Sequence, residues 1–290
     1  MADPLTLLAV HAHPDDESIA TGGTLARYAA EGVRTVLVCC THGEEGEIRD
    51  PALDPVEAGP RLGAIREQEL RAAAAILGVA AADVRLLPYR DSGMAGTAAN
   101  RSPDNFANAD PREAAARVAA VIRAPRPHVV VTYDPGGGYG HPDHKKAHRV
   151  TLDAVAQAGD DGDGGPGWAA PKLYYTVVSL SALLAVNGEM RARGLAAPFR
   201  EDEHAFDIRQ LAVPDDRIDA RVAVGEYLGT VRAALRAHRT QLAEDDPLLA
   251  LPPDIAARAF AVESYIRASS PALARPHVAH VEDDLFAGLR

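Results

Sequence analysis

An apolar run that ends abruptly in histidine and aspartate is the feature that most restricts this chain. Leu5–Val10 is apolar except for Thr6, and it runs straight into His11-Ala-His13-Pro-Asp15-Asp16-Glu17. A run of that kind, without polar alternation, is the signature of a strand covered on both faces, as in a parallel sheet flanked by helices. The pattern recurs downstream: His128–Tyr133 is a second such strand, and Tyr139-Gly-His141-Pro-Asp143-His144 follows it.

The segments between fit the same scheme. Ser18–Glu31 has helical spacing (Ile19, Leu25, Ala26, Ala29) and stops at Gly32, and Arg34–Cys40 is the next strand. Strand, helix, strand at this spacing is a βαβ unit with a parallel pairing. Arg61–Leu77 reads as a helix and Val84–Leu87 as a third strand. Pro111–Arg123 reads as a helix with Asp110 at its N-cap and Pro111 in its first turn. Pro142 to about Ala158 is a further helix and Lys172–Leu180 a fifth strand. The fold class is therefore α/β, a layered core with a mostly parallel sheet over residues 1–180. Residues 181–290 read as a smaller α+β cap packed on that core, not an independent domain. Within it Ser181–Arg193, Tyr227–Leu242 and Ile255–Arg267 read as helices, and Ala205–Ile208 and Arg217–Val224 as strands. The polar segment from Pro88 to Asp110 is longer than most structureless loops, which marks it as functional or disordered.

In doubly wound sheets, ligands bind beyond the carboxyl ends of the strands, where the strand order reverses. With the order three-two-one-four, strands one and four are neighbours, so the two His/Asp clusters emerge side by side. Two imidazoles and a carboxylate then form an open three-ligand set, which suits a catalytic metal rather than a structural one. His13, Asp16 and His144 are assigned as the ligands. Zinc is the default ion, and Fe2+ takes the same donors. Asp15 is then the general base for the attacking water. A protonated His141 would stabilise the oxyanion and pass a proton to the leaving amine, with Asp143 orienting it and favouring its charged form. Tyr139, among glycines, would reach the oxyanion. Blander readings compete: a strand-end histidine satisfied by its neighbours, Asp15 or Asp16 as a mere helix cap, and His148, four residues after His144 on the same helix face, as the ligand instead.

Charge and cysteines narrow the partners. The formal net charge is −11 over 290 residues, which argues against nucleic acid and anionic membrane as partners, since both select a basic face. Cys39 and Cys40 are adjacent, so a bridge between them would be badly strained; buried free thiols and a reducing compartment are expected. Met1-Ala-Asp-Pro opens with neither a basic region nor a long apolar one, and no run approaches a membrane span, so the expected location is cytoplasmic. The aspartates of Gly159–Pro166 lack the twelfth-position Glu of a calcium loop. A nucleotide-binding role, suggested by Gly136-Gly-Gly138, meets acidic residues where phosphate would sit and lacks a G-x-G-x-x-G after the first strand. A metal-dependent phosphoesterase is a further alternative, and a homo-oligomer is left open.

Together, His11-Ala-His-Pro-Asp-Asp-Glu17 and Gly138-Tyr-Gly-His-Pro-Asp-His144 resemble the LmbE-like, or PIG-L, family of metal-dependent N-deacetylases. Gly43-Glu-Glu-Gly-Glu47, Arg90-Asp-Ser-Gly-Met-Ala-Gly96, Arg126–Asp134, Ala237-His238 and Asp284–Gly288 are most similar to its mycothiol-pathway branch. The resemblance implies a Rossmann-like three-layer core and a Zn2+ hydrolase that removes acetyl from an N-acetylglucosaminyl glycoside such as N-acetylglucosaminyl-inositol. That branch also holds an amidase acting on thiol conjugates, which Pro51-Ala-Leu-Asp54 resembles; other acetamido-sugar deacetylases are a further alternative. The family's metal and catalytic positions fall on the residues assigned above, and its sugar-binding positions on Arg66 and Asp91, with Glu47 and Met94 nearby.

Overall fold

The two apolar runs lie side by side at the middle of one sheet. A computed structural model describes residues 4–161, 166–199, 201, 208–268 and 280–290. Its first half alternates strand and helix: β1 (Thr6–His11), α1 (Asp16–Ala20), α2 (Gly22–Ala30), β2 (Arg34–Thr41), α3 (Pro55–Ala58), α4 (Leu62–Ile76), β3 (Val84–Tyr89), α5 (Pro111–Arg123), β4 (Val129–Tyr133), α6 (Pro142–Gly159) and β5 (Lys172–Ser179). The second half adds α7 (Leu180–Ala192), α8 (Ile208–Leu211), β6 (Ala212–Val213), β7 (Ala220–Ala223), α9 (Leu228–Ala237), α10 (Pro247–Ala250), α11 (Pro253–Ala259) and β8 (Val262–Arg267). The sheet order is β3-β2-β1-β4-β5-β8-β7, with β6 beside β5. The first five strands are parallel; β8 runs antiparallel to β5 and to β7.

Alternate residues of β1 serve opposite faces, as the pleat requires. Leu8 and Val10 join Val36, Val38 and Val130 against Ala115, Val118 and Ile122 of α5 and Val150 and Ala154 of α6. Leu7 and Ala9 join Leu37, Val129 and Val131 against Leu25 and Tyr28 of α2 and Leu70 and Ala73 of α4. Helices on both faces of a mostly parallel sheet give the expected three-layer α/β core. The same alternation separates the cysteines. Cys40 packs in the first core and Cys39 in the second. Both are buried free thiols, as expected.

Several boundaries differ from the sequence reading. The helix expected over Ser18–Glu31 is two, α1 and α2, and begins at Asp16; Thr21 interrupts it, its hydroxyl bonding the Glu17 carbonyl and the His11 ring. The helix expected over Tyr227–Leu242 ends at Ala237. Ile255–Arg267, read as one helix, is α11 followed by β8. Ser264, Tyr265 and Ile266 are buried in β8, whose register with β5 pairs Tyr265 with Thr176. The sheet pairing overrides a helical spacing that no Gly or Pro interrupts. Of the strand expected at 205–208, Ile208 opens α8 and the rest lies outside the described residues, as do positions 162–165 of the aspartate-rich turn. No helix among the described residues is long and apolar enough to cross a membrane.

Glu263 of β8 stitches the C-terminal strands to α2. Its carboxylate accepts the backbone N–H groups of Gly23 at 2.7 Å and Thr24 at 2.9 Å. These are first-turn donors with no partner inside the helix. The seam is tight enough that a Cβ on Gly23 would lie 2.5 Å from that of Val224. Glu263→Ala strands both donors, and is expected to lower the unfolding free energy by about 2–4 kcal/mol in urea titrations, with Glu263→Gln losing less. Equal midpoints for Glu263→Ala and the parent would show that this carboxylate adds no stability.

Candidate metal centre

The loops that follow β1 and β4 meet at the reversal of strand order, and their polar residues are packed away from water. His13, Asp16, Asp91, His141, Asp143 and His144 are all buried. The backbone holds them there for local reasons. The His13 N–H donates to the Asp16 carboxylate at 2.8 Å, closing the loop on itself. Tyr133, the last residue of β4, donates its hydroxyl to the same carboxylate at 2.7 Å and accepts the Ala12 N–H. Its ring stacks on His144, with centroids 4.2 Å apart. His141 is the N-cap of α6, its Nδ1 accepting the Asp143 N–H, and Pro142 takes the first helical position.

Three ligand-type groups converge. The Nε2 of His13 faces carboxylate oxygens of Asp143 at 3.2 Å and Asp91 at 3.5 Å, and against burial these acids and Asp16 hold the ring well above its usual pKa. In the neutral ring that a cation would select, Nε2 keeps its proton for those carboxylates and Nδ1 offers a lone pair. The Nδ1 of His144 faces the Gly137 carbonyl at 3.2 Å, so the neutral ring offers Nε2 to the same space. These two nitrogens lie 3.2 Å apart. The Asp16 carboxylate spans them, its Oδ2 lying 3.3 Å from the His13 nitrogen and its Oδ1 3.3 Å from the His144 nitrogen. A cation bonded at about 2.1 Å with near-tetrahedral angles spaces its ligands about 3.4 Å apart, so each of these pairs has the spacing of two ligands on one ion. Burial works to raise the Asp16 carboxyl, but the His144 and His13 imidazoles outweigh it and hold the group well below the usual range. Two wider groups, His13 with His141 and His144, and His13 with Asp91, His141 and Asp143, also bring one donor atom each within 4.8 Å of the others. In the His13–Asp16–His144 set the facing atom pairs are 3.2–3.3 Å apart, and the carboxylates of Asp91 and Asp143 fit the support a ligating imidazole takes on its far nitrogen.

Asp15 stands apart from this set. It occupies the position before α1 but makes no side-chain capping bond, so it is not a helix cap. Its φ of 114° lies where side-chain-bearing residues are rarely found, and Arg126 is the other non-glycine residue with positive φ among those described. The carboxylate receives an Arg66 N–H at 3.0 Å. Burial, against the pull of Arg66, pushes the Asp15 carboxyl up to about 6. Arg66 also donates to the carbonyls of Pro14 and Gly43, so its guanidinium is spent largely on the loops around the site.

The structure differs from two expectations and sets one rival aside. Asp143 was to orient His141 and favour its charged form. Its charge does pull the His141 pKa upward but is outweighed, its carboxylate accepts from His13 and from the Ser92 N–H at 2.8 Å, and its backbone N–H is the group that bonds His141. Burial, then the neighbouring His13 and His144 rings, pull His141 down to about 4, so at neutral pH it is uncharged with its proton on Nε2. Glu47 is exposed and stands outside the cavity wall, where Glu45 and Gly46 take its place. His148 does not join the donor set: its Nδ1 bonds the Tyr133 carbonyl and its ring packs on Tyr175.

The site forms one end of a cavity of about 830 Å3. Asp91, Met94 and Tyr139 line it together with the site residues, and Ile19, Leu183, Val231, Phe260 and Val262 give it an apolar wall. The long segment after β3 is ordered here: Asp91 accepts the Gly93 N–H, and Ser92 is buried beneath the site. Tyr133 and Ser92 were not singled out by sequence reasoning. The position of Tyr133, at the end of the strand beside β1, was the available signal for it; Ser92 gave none.

A family model described as PIG-L: GlcNAc-PI de-N-acetylase matches residues 8–155. The chain is 47% identical over 98% of its length to 95% of a protein of Acidothermus cellulolyticus named 1D-myo-inositol 2-acetamido-2-deoxy-alpha-D-glucopyranoside deacetylase. It is 45% identical over 98% of its length to 97% of the protein of that name from Geodermatophilus obscurus. Among solved structures, N,N'-diacetylchitobiose deacetylase from Pyrococcus horikoshii superposes with a TM-score of 0.57 at 21% identity, covering 93% of this chain and 85% of that one.

Proposed function

The chain belongs to the PIG-L family of GlcNAc-PI de-N-acetylases, and from that premise we propose that it is a zinc-dependent hydrolase that removes the acetyl group from 1D-myo-inositol 2-acetamido-2-deoxy-alpha-D-glucopyranoside, in the cytoplasm. The observation that carries the reading is the convergence of two imidazole nitrogens and a carboxylate, with facing atoms 3.2–3.3 Å apart, beside a second acid, Asp15, that Arg66 holds outside that set. His13, Asp16 and His144 would hold the ion, which when bound supplies a Lewis acid that acidifies water and polarises the acetamide carbonyl. Metal analysis separates zinc from iron(II).

The protein's own groups do the rest. Asp15 takes a proton from the attacking water. The neutral His141 offers its Nε2 proton as a hydrogen bond to the carbonyl oxygen while negative charge grows there, and Tyr139 borders the same space. Donating that only proton outright would leave an imidazolate, so the leaving amine is protonated by Asp15, once it holds the proton from water. Asp91 and Met94 border the sugar end, with Arg66 behind them fixing Asp15. Incubation with Zn2+ and the acetamido glycoside is expected to release acetate and a free amine. No turnover with that glycoside or any other acetamido sugar refutes the proposal.

The acid limb of kcat/KM follows from Asp15. The group works as a base, so activity falls as pH drops through its pKa. That value is about 6 without an ion, and a nearby cation favours the carboxylate and lowers it. A rate profile from pH 4 to 9 is expected to show an acid limb with its midpoint at or below 6. A limb centred well above that would point to another group as base. A second reading, hydrolysis of an amide on a thiol conjugate of such a glycoside, is favoured by the apolar wall of the cavity, and side-by-side rates on the two substrates decide between them.

A further inference from the structure

Glu17 and His238 are buried side chains that the chemistry above leaves without a task. They come from opposite ends of the chain, 221 residues apart, and both are fully shielded from solvent. The His238 ring closes the end of α9 and its Nε2 bonds Glu17 Oε1 at 2.7 Å. The same oxygen accepts the Ser18 hydroxyl. The other oxygen, Oε2, accepts the backbone N–H of Asp15 at 3.0 Å. Asp15 is the residue held at a φ of 114°. A strained backbone of that kind persists only where its surroundings over-determine it. Arg66 grips the carboxylate of Asp15 and the carbonyl before it; Glu17 grips the N–H. Between them, both polar groups of the peptide that precedes the residue and its carboxylate have fixed partners.

We propose that Glu17 and His238 are positioning residues: His238 locks the Glu17 carboxylate, and Glu17 locks the left-handed backbone of Asp15, so that its carboxylate points into the cavity instead of folding back as a helix cap. The inference rests on the reading of Asp15 as the base. It competes with a plainer role, a buried pair that ties α1 to α9. Geometry separates the two. A tie between helices stabilises the whole protein, whereas a clamp on Asp15 acts on the reaction only while Asp15 has a carboxylate.

The test uses the full-length, zinc-loaded protein and the acetamido glycoside. Glu17→Met keeps the length of the side chain and removes the acceptor. It is expected to lower kcat about 100-fold, with KM within about threefold and ion content unchanged. Glu17→Gln, whose carbonyl still accepts the Asp15 N–H, is expected to stay within about tenfold of the parent. In an Asp15→Ala background, Glu17→Met is expected to change the residual rate by less than about threefold, because the clamp has nothing left to aim. A full 100-fold further loss in that background, or a kcat for Glu17→Met within threefold of the parent, overturns the proposal. If Glu17→Met does not fold, Glu17→Met with His238→Phe, which replaces both buried partners by apolar groups, carries the same comparison. If Asp15→Ala alone leaves kcat unchanged, the reading of Asp15 as the base has failed instead, and the two failures are distinguishable.

Discussion

Asp15→Ala is expected to lower kcat by about three orders of magnitude while the protein keeps its ion. The expectation has two parts because Asp15 and Asp16, though adjacent, face different tasks. The Asp16 carboxylate has one oxygen 3.3 Å from the facing nitrogen of His13 and the other 3.3 Å from that of His144, and it accepts from Tyr133. Asp15 shares none of these partners, and its carboxylate is tied to Arg66. Alanine at 15 therefore leaves the donor triangle whole, and removes the carboxylate proposed to accept the proton from water and return it to the amine. A loss of this size lies within the roughly 10²- to 10⁴-fold that a positioned acid or base contributes, and above its lower end because one residue serves both steps. Alanine also relieves no backbone strain, because it tolerates positive φ less well than aspartate does. Asp15→Asn makes a sharper version: its amide preserves size and a bond to Arg66, and only basicity goes. Kinetics with metal analysis on the same sample check both parts. A loss of ion with the loss of rate would mean that the two aspartates have exchanged roles.

The meeting of the two His/Asp loops was legible in the sequence because it depends on topology. A run such as Leu5–Val10 can be buried on both faces only in a parallel sheet between helices, and the order β3-β2-β1-β4 then brings the residues after Val10 beside those after Tyr133. Local chemistry went further: Asp110 accepts the Arg112 N–H and Pro111 starts α5, as the spacing required. What was not legible depends on partners far away in sequence. Whether the Asp143 carboxylate meets His141 or His13 depends on how the end of α6 sits against the loop after β1, and no periodicity records that. The pair of Glu17 and His238 is invisible for the same reason. The strand β8 was misread because Ala256–Phe260 continues into Val262 without a breaker, and its true register is imposed by β5. The break at Thr21 did have a signal, the adjacent glycines at 22 and 23, which a helix interior tolerates poorly.

Asp16→Ala is expected to abolish both ion binding and activity, and the two losses have one cause. Neutral imidazoles supply lone pairs but no charge, so the carboxylate of Asp16 is the one anion in the triangle, and neutralising it removes most of the electrostatic hold on a divalent cation. The rate is expected to fall by at least about 10⁴-fold, since the base at Asp15 then has no acidified water to work on. The structure sets an internal control. Asp16 also binds the His13 N–H and the Tyr133 hydroxyl, so part of the loss with alanine comes from a loosened loop. Asp16→Asn preserves one acceptor oxygen for those bonds and removes the charge. If the charge is what matters, Asp16→Asn keeps the parent's unfolding midpoint in the ion-free state but still loses the ion at micromolar concentration. Stripping the parent with a chelator should then mimic both variants, and added Zn2+ should restore the parent alone. Full restoration of Asp16→Asn by Zn2+ at the parent's concentration would show that a neutral oxygen suffices, and that His13 and His144 hold the ion with a different third partner, such as His141, whose donor atom lies within 4.8 Å of theirs.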